Sequence, residues 1–250
     1  TRLERGSRAP SRRWKFAATT FDSSARMALF GGCAGTKIRD VLDDLWVFEP
    51  TRGRHAGRWR PVRTEDPPAA RRGHVVAANS THLIVFGGKT FVPREGARVL
   101  TDLWALPLAA LRGGGDSQAF RWTQGASIPT EPRWGSTGTV LRSPDDGREV
   151  LGVFGGRVWS AGGYTYFNDL WLYDFRKDVW YHVDPPLPAP EARDHHGAAA
   201  VGGDLYIFGG RVKATRQAGA TLGDVWSYSL STGRWTQHPR RGELVPAPRF

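Results

Sequence analysis

The chain has 250 residues, 40% hydrophobic and 24% charged, with a formal net charge of +11. This composition is ordinary for a globular protein, and the length allows a large buried core. No run of 18 apolar residues occurs, so the sequence predicts no membrane-spanning segment. The single cysteine, Cys33, excludes an internal disulfide and favours a reducing compartment such as the cytoplasm.

One sequence pattern recurs four times along the chain. In each copy an apolar segment ends in Phe-Gly-Gly, an Asp-Leu-Trp or Asp-Val-Trp tryptophan follows 14 to 16 residues after the second glycine, and a second tryptophan closes the copy. The glycines and tryptophans of successive copies are Gly31, Gly32, Trp46 and Trp59, then Gly87, Gly88, Trp104 and Trp122, then Gly155, Gly156, Trp171 and Trp180, and last Gly209, Gly210, Trp226 and Trp235. A repeat of this length cannot bury its own apolar face, so the copies are predicted to stack on one another.

Each copy is predicted to hold four short strands, most clearly in the fourth. Residues 197–201 and 205–208 are apolar and flank a Gly-Gly-Asp turn, which indicates a hairpin. Residues 226–230 and 234–237 flank a Ser-Thr-Gly turn and predict a second hairpin. No window keeps apolar residues at helical spacing for three turns, and Pro107 interrupts the best helical candidate. We therefore predict an all-β protein made of four-stranded antiparallel units.

An arginine opens each copy, at positions 13, 71, 133 and 193. Two of these arginines, Arg71 and Arg193, lie three residues before a histidine, and the other two begin degenerate versions of the motif. Together with the double glycines and the paired tryptophans, this motif means that essentially the whole chain resembles the Kelch repeat family. The resemblance implies a β-propeller of four-stranded antiparallel blades, here four blades of a six- or seven-bladed propeller.

The repeat boundaries follow from the resemblance. They are an inter-blade linker at 1–12, blades at 13–70, 71–132, 133–192 and 193–248, and the start of a further repeat at 249–250. The proline-containing runs near both ends match the linkers between internal copies. We therefore expect the chain to be a fragment of a larger propeller, cut at both ends.

The recurring residues are predicted to be structural. The tryptophans would fill the gaps between blades. The double glycines would let the chain leave each sheet at positive φ and let a neighbouring blade approach closely. The recurring aspartates and arginines would hold loops through charge-assisted hydrogen bonds.

Positive charge concentrates in the four segments between each double glycine and the next Asp-x-Trp. Residues 33–42, 89–101, 157–168 and 211–223 carry seven of the eleven net positive charges. These segments should emerge on one face, together with aromatic side chains. The predicted partner-binding residues are Arg94, Arg98, Arg157, Trp159, Tyr164, Tyr166, Arg211, Lys213 and Arg216. Arginine binds carboxylate or phosphate with two hydrogen bonds, so the predicted ligand is acidic, although the arginine-rich composition could equally reflect a GC-rich genome.

The sequence contains no recognisable catalytic or cofactor-binding motif. His195 and His196, with Asp194 nearby, have the composition of a metal site, but His196 occupies the repeat's own histidine position and is interpreted as structural. We therefore predict no metal and no cofactor. Nucleic acid is disfavoured because neither a groove-reading helix nor a free aromatic sheet face is predicted.

Two functions remain open. The first is a non-enzymatic adaptor whose loops bind a partner protein, expected to be acidic. The alternative is a fragment of a Kelch-propeller enzyme resembling galactose oxidase, a copper enzyme with a Tyr–Cys crosslink. In this chain only Cys33 could supply the thioether.

Overall fold

The computed structural model describes residues 2–3, 9–22, 25–51, 56–112, 120–160, 162–184, 187–212, 220–239 and 247–248. The chain divides into two compact units, Thr1–Ser127 (unit 1) and Ile128–Phe250 (unit 2). Each unit contains two antiparallel four-stranded sheets, which confirms the predicted all-β architecture.

Unit 1 contains sheets 1 and 2. The strands of sheet 1 are β2 (Ala17–Thr20), β3 (Met27–Cys33), β4 (Val41–Pro50) and β5 (Ala56–Val62), with the short strand β1 (Arg2–Leu3) added in parallel to β5. Those of sheet 2 are β6 (Val75–Ala78), β7 (His82–Phe86), β10 (Leu103–Pro107) and β11 (Thr123–Gly125). In both sheets the first two strands form one hairpin and the last two form another, and the two middle strands pair with each other, as the repeat pattern predicts.

Unit 2 contains sheets 3 and 4. The strands of sheet 3 are β12 (Thr137–Arg142), β13 (Glu149–Phe154), β16 (Leu170–Asp174) and β17 (Val179–Val183). Those of sheet 4 are β18 (Gly197–Val201), β19 (Asp204–Arg211), β20 (Thr221–Ser229) and β21 (Arg234–His238). The two hairpins predicted for the fourth copy are both present, with strands longer than the sequence pattern indicated.

The segments after the double glycines differ between repeats. In sheets 2 and 3 they fold into separate hairpins, β8 (Lys89–Val92) with β9 (Gly96–Val99), and β14 (Arg157–Ser160) with β15 (Gly163–Tyr166). In sheets 1 and 4 the flanking strands instead continue past the glycines through a shift in register. These two hairpins were not predicted from the sequence. The β8–β9 turn lacks a tight-turn dipeptide, whereas the β14–β15 turn does contain one, Gly162-Gly163.

Helix is confined to two short elements among the described residues. One is a 3-10 turn at Ile38–Asp40 and the other is the four-residue helix α1 (Ala109–Arg112), which begins directly after β10. Pro107 ends the strand before α1, so the segment suspected of helical character is divided as the proline predicts.

Two of the four tryptophans that close the repeats, Trp122 and Trp235, pack between the sheets of their unit. Trp122 of unit 1 is buried against Phe30 of sheet 1, with ring centroids 5.8 Å apart. Trp235 of unit 2 is buried against Phe154 of sheet 3, with centroids 5.1 Å apart. The predicted role in blade packing is therefore met where two sheets share a unit.

The double glycine of sheet 3 shows why neither residue can carry a side chain. Gly155 and Gly156 have φ of 66° and 94°, in the left-handed region. A Cβ on Gly155 would lie 2.6 Å from the carbonyl oxygen of Arg193 in sheet 4, and one on Gly156 would lie 2.9 Å from Ser136. The pair therefore permits both the turn and the contact with the next sheet.

Candidate functional site

A buried arginine spans the double glycine in each of the four sheets. Arg71 donates from Nη1 and Nη2 to Asp102, at 2.8 Å in both cases, and its Nη1 also donates to the carbonyl of Gly87 at 3.0 Å. Trp104 Nε1 donates to the same carboxylate at 2.7 Å. The equivalent sets are Arg13, Asp44 and Trp46; Arg133, Asp169 and Trp171; and Arg193, Asp224 and Trp226. These residues form the structural frame of the repeats. Charge-assisted hydrogen bonds of the recurring arginines and aspartates were expected, whereas the hydrogen bond from the Asp-x-Trp tryptophan to the carboxylate was not.

The ionised state of the frame carboxylates is stabilised by the surrounding donors. Burial opposes ionisation of Asp102, but the hydrogen bonds from Arg71 and Trp104 outweigh it and hold its pKa below the usual value. The same balance of burial against arginine and tryptophan donors lowers the pKa of Asp44, Asp169 and Asp224. The frame therefore stays charged and paired at neutral pH.

The β14–β15 hairpin is attached to unit 2 through Arg157, whose residue surface is only 6% exposed. Its guanidinium carbon lies 4.0 Å from the ring centroid of Tyr164 and 4.2 Å from that of Trp134. Its Nη1 donates to the Tyr166 hydroxyl at 3.1 Å. Arg157 is thus enclosed by aromatic rings, a favourable cation–π arrangement that fixes the hairpin on the sheet.

Asp194 is the acceptor shared by this cluster. It is fully buried, and its carboxylate lies 2.8 Å from Arg157 Nε, 3.1 Å from Arg211 Nη2 and 2.7 Å from His195 Nδ1. Burial opposes its ionisation, but the hydrogen bonds from His195 and Arg211 lower its pKa. Hydrogen bonding to Asp194 in turn raises the pKa of Arg211. One buried carboxylate therefore balances two arginines.

The outer part of the cluster is aromatic and exposed. Trp159 is 63% exposed, and its ring meets that of Tyr164 edge-on at a centroid distance of 4.7 Å. We call Trp159, Tyr164, Tyr166 and Arg211 the hairpin surface. A large aromatic side chain held in place yet open to solvent has the character of a protein-contact residue.

The structure brings together five of the nine residues predicted to contact a partner: the four of the hairpin surface and Arg157 beneath it. Arg94 and Arg98 belong to unit 1, on the exposed β8–β9 hairpin, where Arg98 pairs with Glu95. Lys213 and Arg216 lie outside the described residues. Contact with a partner stays a prediction for all nine.

Sequence reasoning did not place Trp134, Asp194 and His195 in this cluster, although it considered Asp194 and His195 as a possible metal site. Each follows closely after a frame arginine, at the variable middle positions of the Arg-x-x-His motif. Two isolated β-bridges, Trp134 to Arg157 and Asp194 to Arg211, join these positions to the residues that follow the double glycines. The sequence did contain one sign of these residues, because the middle positions of the motif vary between copies that are otherwise similar.

Membrane spanning, metal binding and a thioether crosslink are the other functions to consider. No helix in the described part of the chain is long and apolar enough to cross a membrane. The described residues also contain no group of three or more His, Cys, Asp or Glu placed to hold a metal ion. Cys33, the possible thioether donor, is buried, and its Sγ donates to the carbonyls of Gly35 at 3.1 Å and Lys37 at 3.3 Å.

Comparison with known proteins is consistent with this architecture. Residues 116–250 match the KLHDC2/KLHL20/DRC7 Kelch-repeats domain. Kelch domain-containing protein 3 of Bos taurus is 26% identical over 230 residues, which cover 88% of this chain and 53% of that protein. Host cell factor of Drosophila melanogaster is 26% identical over 196 residues, which cover 75% of this chain and 12% of that protein. The chain spans about half the length of the Kelch domain-containing protein 3 that it matches.

Proposed function

This chain belongs to the Kelch-repeat family, and we propose that it is a non-enzymatic scaffold that binds a partner protein through the hairpin surface. The observation that carries the proposal is the exposure of Trp159 on a hairpin whose base is fixed by Arg157. Tryptophan, tyrosine and arginine are the residue types that dominate binding energy at protein interfaces. A contact residue that is rigid before binding also loses little conformational entropy when the complex forms.

The partner is proposed to be acidic. The chain carries a net charge of +11, and Arg211 and the tyrosines of the hairpin surface can face carboxylates on a partner. Both Arg157 and Arg211 pair with Asp194, but Arg157 is also enclosed by aromatic rings, whereas the side chain of Arg211 remains 24% exposed. Arg157 positions the hairpin, while Trp159 supplies buried area and Arg211 supplies charge.

A site-specific photo-crosslinking experiment identifies the partner. A benzophenone amino acid would replace Trp159 in one version of the full-length protein and Val201 in another, because Val201 is similarly exposed at 60% in the same unit. The proposal expects a discrete crosslinked protein from position 159 but not from position 201. Equal labelling from both positions would mean that the hairpin surface has no special role.

The affinity of the protein for the captured partner then tests whether Trp159 is a main contact residue. We expect Trp159→Ala to weaken binding about 30-fold, the effect of losing an interface residue worth about 2 kcal/mol. Tyr181→Ala, which removes another exposed aromatic side chain of unit 2, serves as the matched control and should bind normally. Binding by the Trp159 variant at the wild-type level would refute the proposed surface, and binding insensitive to salt would refute an acidic partner.

A further inference from the structure

The position of Asp194 is occupied by a cation in unit 1. In unit 2 an isolated antiparallel bridge joins Asp194 to Arg211, and in unit 1 an equivalent bridge joins Arg72 to Lys89. Both bridges link the residue after a frame arginine to the residue after a double glycine. The same backbone arrangement therefore presents a carboxylate between arginines in one unit and an arginine beside a lysine in the other.

Arg72 is incompletely satisfied by the protein. Its guanidinium carbon lies 5.0 Å from the ring centroid of Trp14, and its Nη1 makes only a long contact of 3.9 Å with Cys33 Sγ. Its Nε is buried and has no hydrogen-bond partner, and within the described part of the chain the side-chain contacts of Arg72 are those with Trp14 and Cys33. A partly buried guanidinium without a carboxylate is costly, and a bound anion would relieve that cost.

The Trp14 ring that contacts Arg72 also contacts a second cation, and an exposed phenylalanine lies two residues after it in the chain. Lys15 Nζ lies 4.9 Å from the centroid of the same Trp14 ring. Trp14 is 42% exposed and its Nε1 donates to the carbonyl of Gly35 at 2.8 Å, while Phe16 is 45% exposed. We call Trp14, Lys15, Phe16 and Arg72 the cation–aromatic site. It combines two positive charges with apolar surface that is open to a ligand.

We propose that the cation–aromatic site binds a carboxylate side chain of an acidic peptide segment, with the aliphatic part of the ligand packed on Trp14 and Phe16. In unit 2 the chain's own Asp194 balances the positive charge of Arg157 and Arg211. In unit 1 Arg72 stands in place of that carboxylate, so the balancing negative charge would come from a partner. Charge-assisted hydrogen bonds from a partly buried guanidinium are stronger than those in water. This site rests on the proposal that the partner is acidic, but it lies in unit 1. Its test follows Trp14 and does not depend on the hairpin surface.

The test uses a tetraglutamate peptide blocked at both ends, so that only side-chain carboxylates are present. The peptide is titrated into the full chain while the indole N–H signal of Trp14 is followed by NMR. We expect a saturable shift of that signal, absent with blocked tetraglutamine. Arg72→Gln should weaken binding about tenfold, as expected for losing a hydrogen bond to a charged group. Arg58→Gln, which changes the net charge equally at an exposed position of unit 1, should bind as the wild type does.

Several outcomes would overturn the site. Equal weakening by Arg72→Gln and Arg58→Gln would show that only the overall charge attracts the peptide. Saturable binding of inorganic phosphate without binding of tetraglutamate would show that the site does not select carboxylates. If Arg72→Gln fails to fold, Lys15→Gln must weaken binding instead, and wild-type affinity in that variant would refute the proposal. Trp159→Ala should leave tetraglutamate binding unchanged, so failure of this site and failure of the hairpin surface are distinguishable.

Discussion

Units 1 and 2 share one structural frame but treat charge beside it in opposite ways. Arg71 in unit 1 and Arg193 in unit 2 make the same paired contacts with an aspartate and a glycine carbonyl. The next residue along the chain is Arg72 in unit 1 and Asp194 in unit 2. The frame residues hold the backbone and recur, whereas the middle positions of the motif differ and are the positions on which our two binding proposals depend.

The largest expected effect comes from breaking the shared frame. Arg71→Met and Arg193→Met should each lower the free energy of unfolding by about 4 kcal/mol, because each leaves a partly buried aspartate without its partner. Urea denaturation followed by tryptophan fluorescence measures the loss. Arg58→Met, at a largely exposed arginine, is the control and should cost less than about 1 kcal/mol. Losses of very different size at Arg71 and Arg193 would contradict a common frame.

A smaller effect distinguishes the two middle positions. Asp194→Asn should destabilise the protein by about 3 kcal/mol, because Arg157 and Arg211 lose their shared counter-charge. Arg72→Gln should change stability by less than about 1 kcal/mol, since the side-chain contacts of Arg72 within the described residues are those with Trp14 and Cys33. The same denaturation experiment compares them. A large loss on replacing Arg72 would show that it is structural and would remove the contrast between the units.

Expressed per histidine and per pH unit, the smallest effect is a dependence of stability on pH. Burial and the nearby Arg71 lower the pKa of His74 to about 3, and burial and Arg193 do the same for His196. The unfolded histidines keep a pKa of about 6.5, so below that pH the unfolded state binds more protons. Stability should therefore fall as the pH drops from about 6.5 towards 3, by about 1 kcal/mol per pH unit for each histidine.

Replacing one histidine should flatten this dependence. His74→Gln and His196→Gln would each remove about half of the slope contributed by the two buried histidines between pH 6.5 and 5. The frame aspartates contribute little in this range, because the stabilisation that comes from their lowered pKa is lost only as the pH falls below about 5, where the unfolded carboxyls begin to take up protons. His82, whose pKa is also lowered by burial, is present in both variants and serves as a constant background. An unchanged slope in either variant would show that the replaced histidine is protonated in the folded protein.

The repeat made most of the architecture readable from the sequence. Recurrence of Phe-Gly-Gly, Asp-x-Trp and the opening arginine identifies positions that must satisfy the same geometry four times, and such positions cannot vary freely. Gly155, for example, must approach the carbonyl of Arg193 at a distance that excludes any side chain. The sequence therefore determined the four-stranded sheets, the packing role of Trp122 and Trp235, and the arginine–aspartate pairs.

Only the tertiary structure decided what the variable positions do. Charge counting placed Arg157 among solvent-facing contacts, but the fold encloses it between Trp134 and Tyr164 and pairs it with Asp194, 37 residues further along the chain. The contrast between Arg72 and Asp194 was equally hidden, because their importance depends on bridges between distant segments. Recurring residues in the sequence indicate backbone geometry that every repeat must adopt. The surroundings of a side chain depend instead on which segments meet in the folded protein, and the local sequence does not specify those contacts.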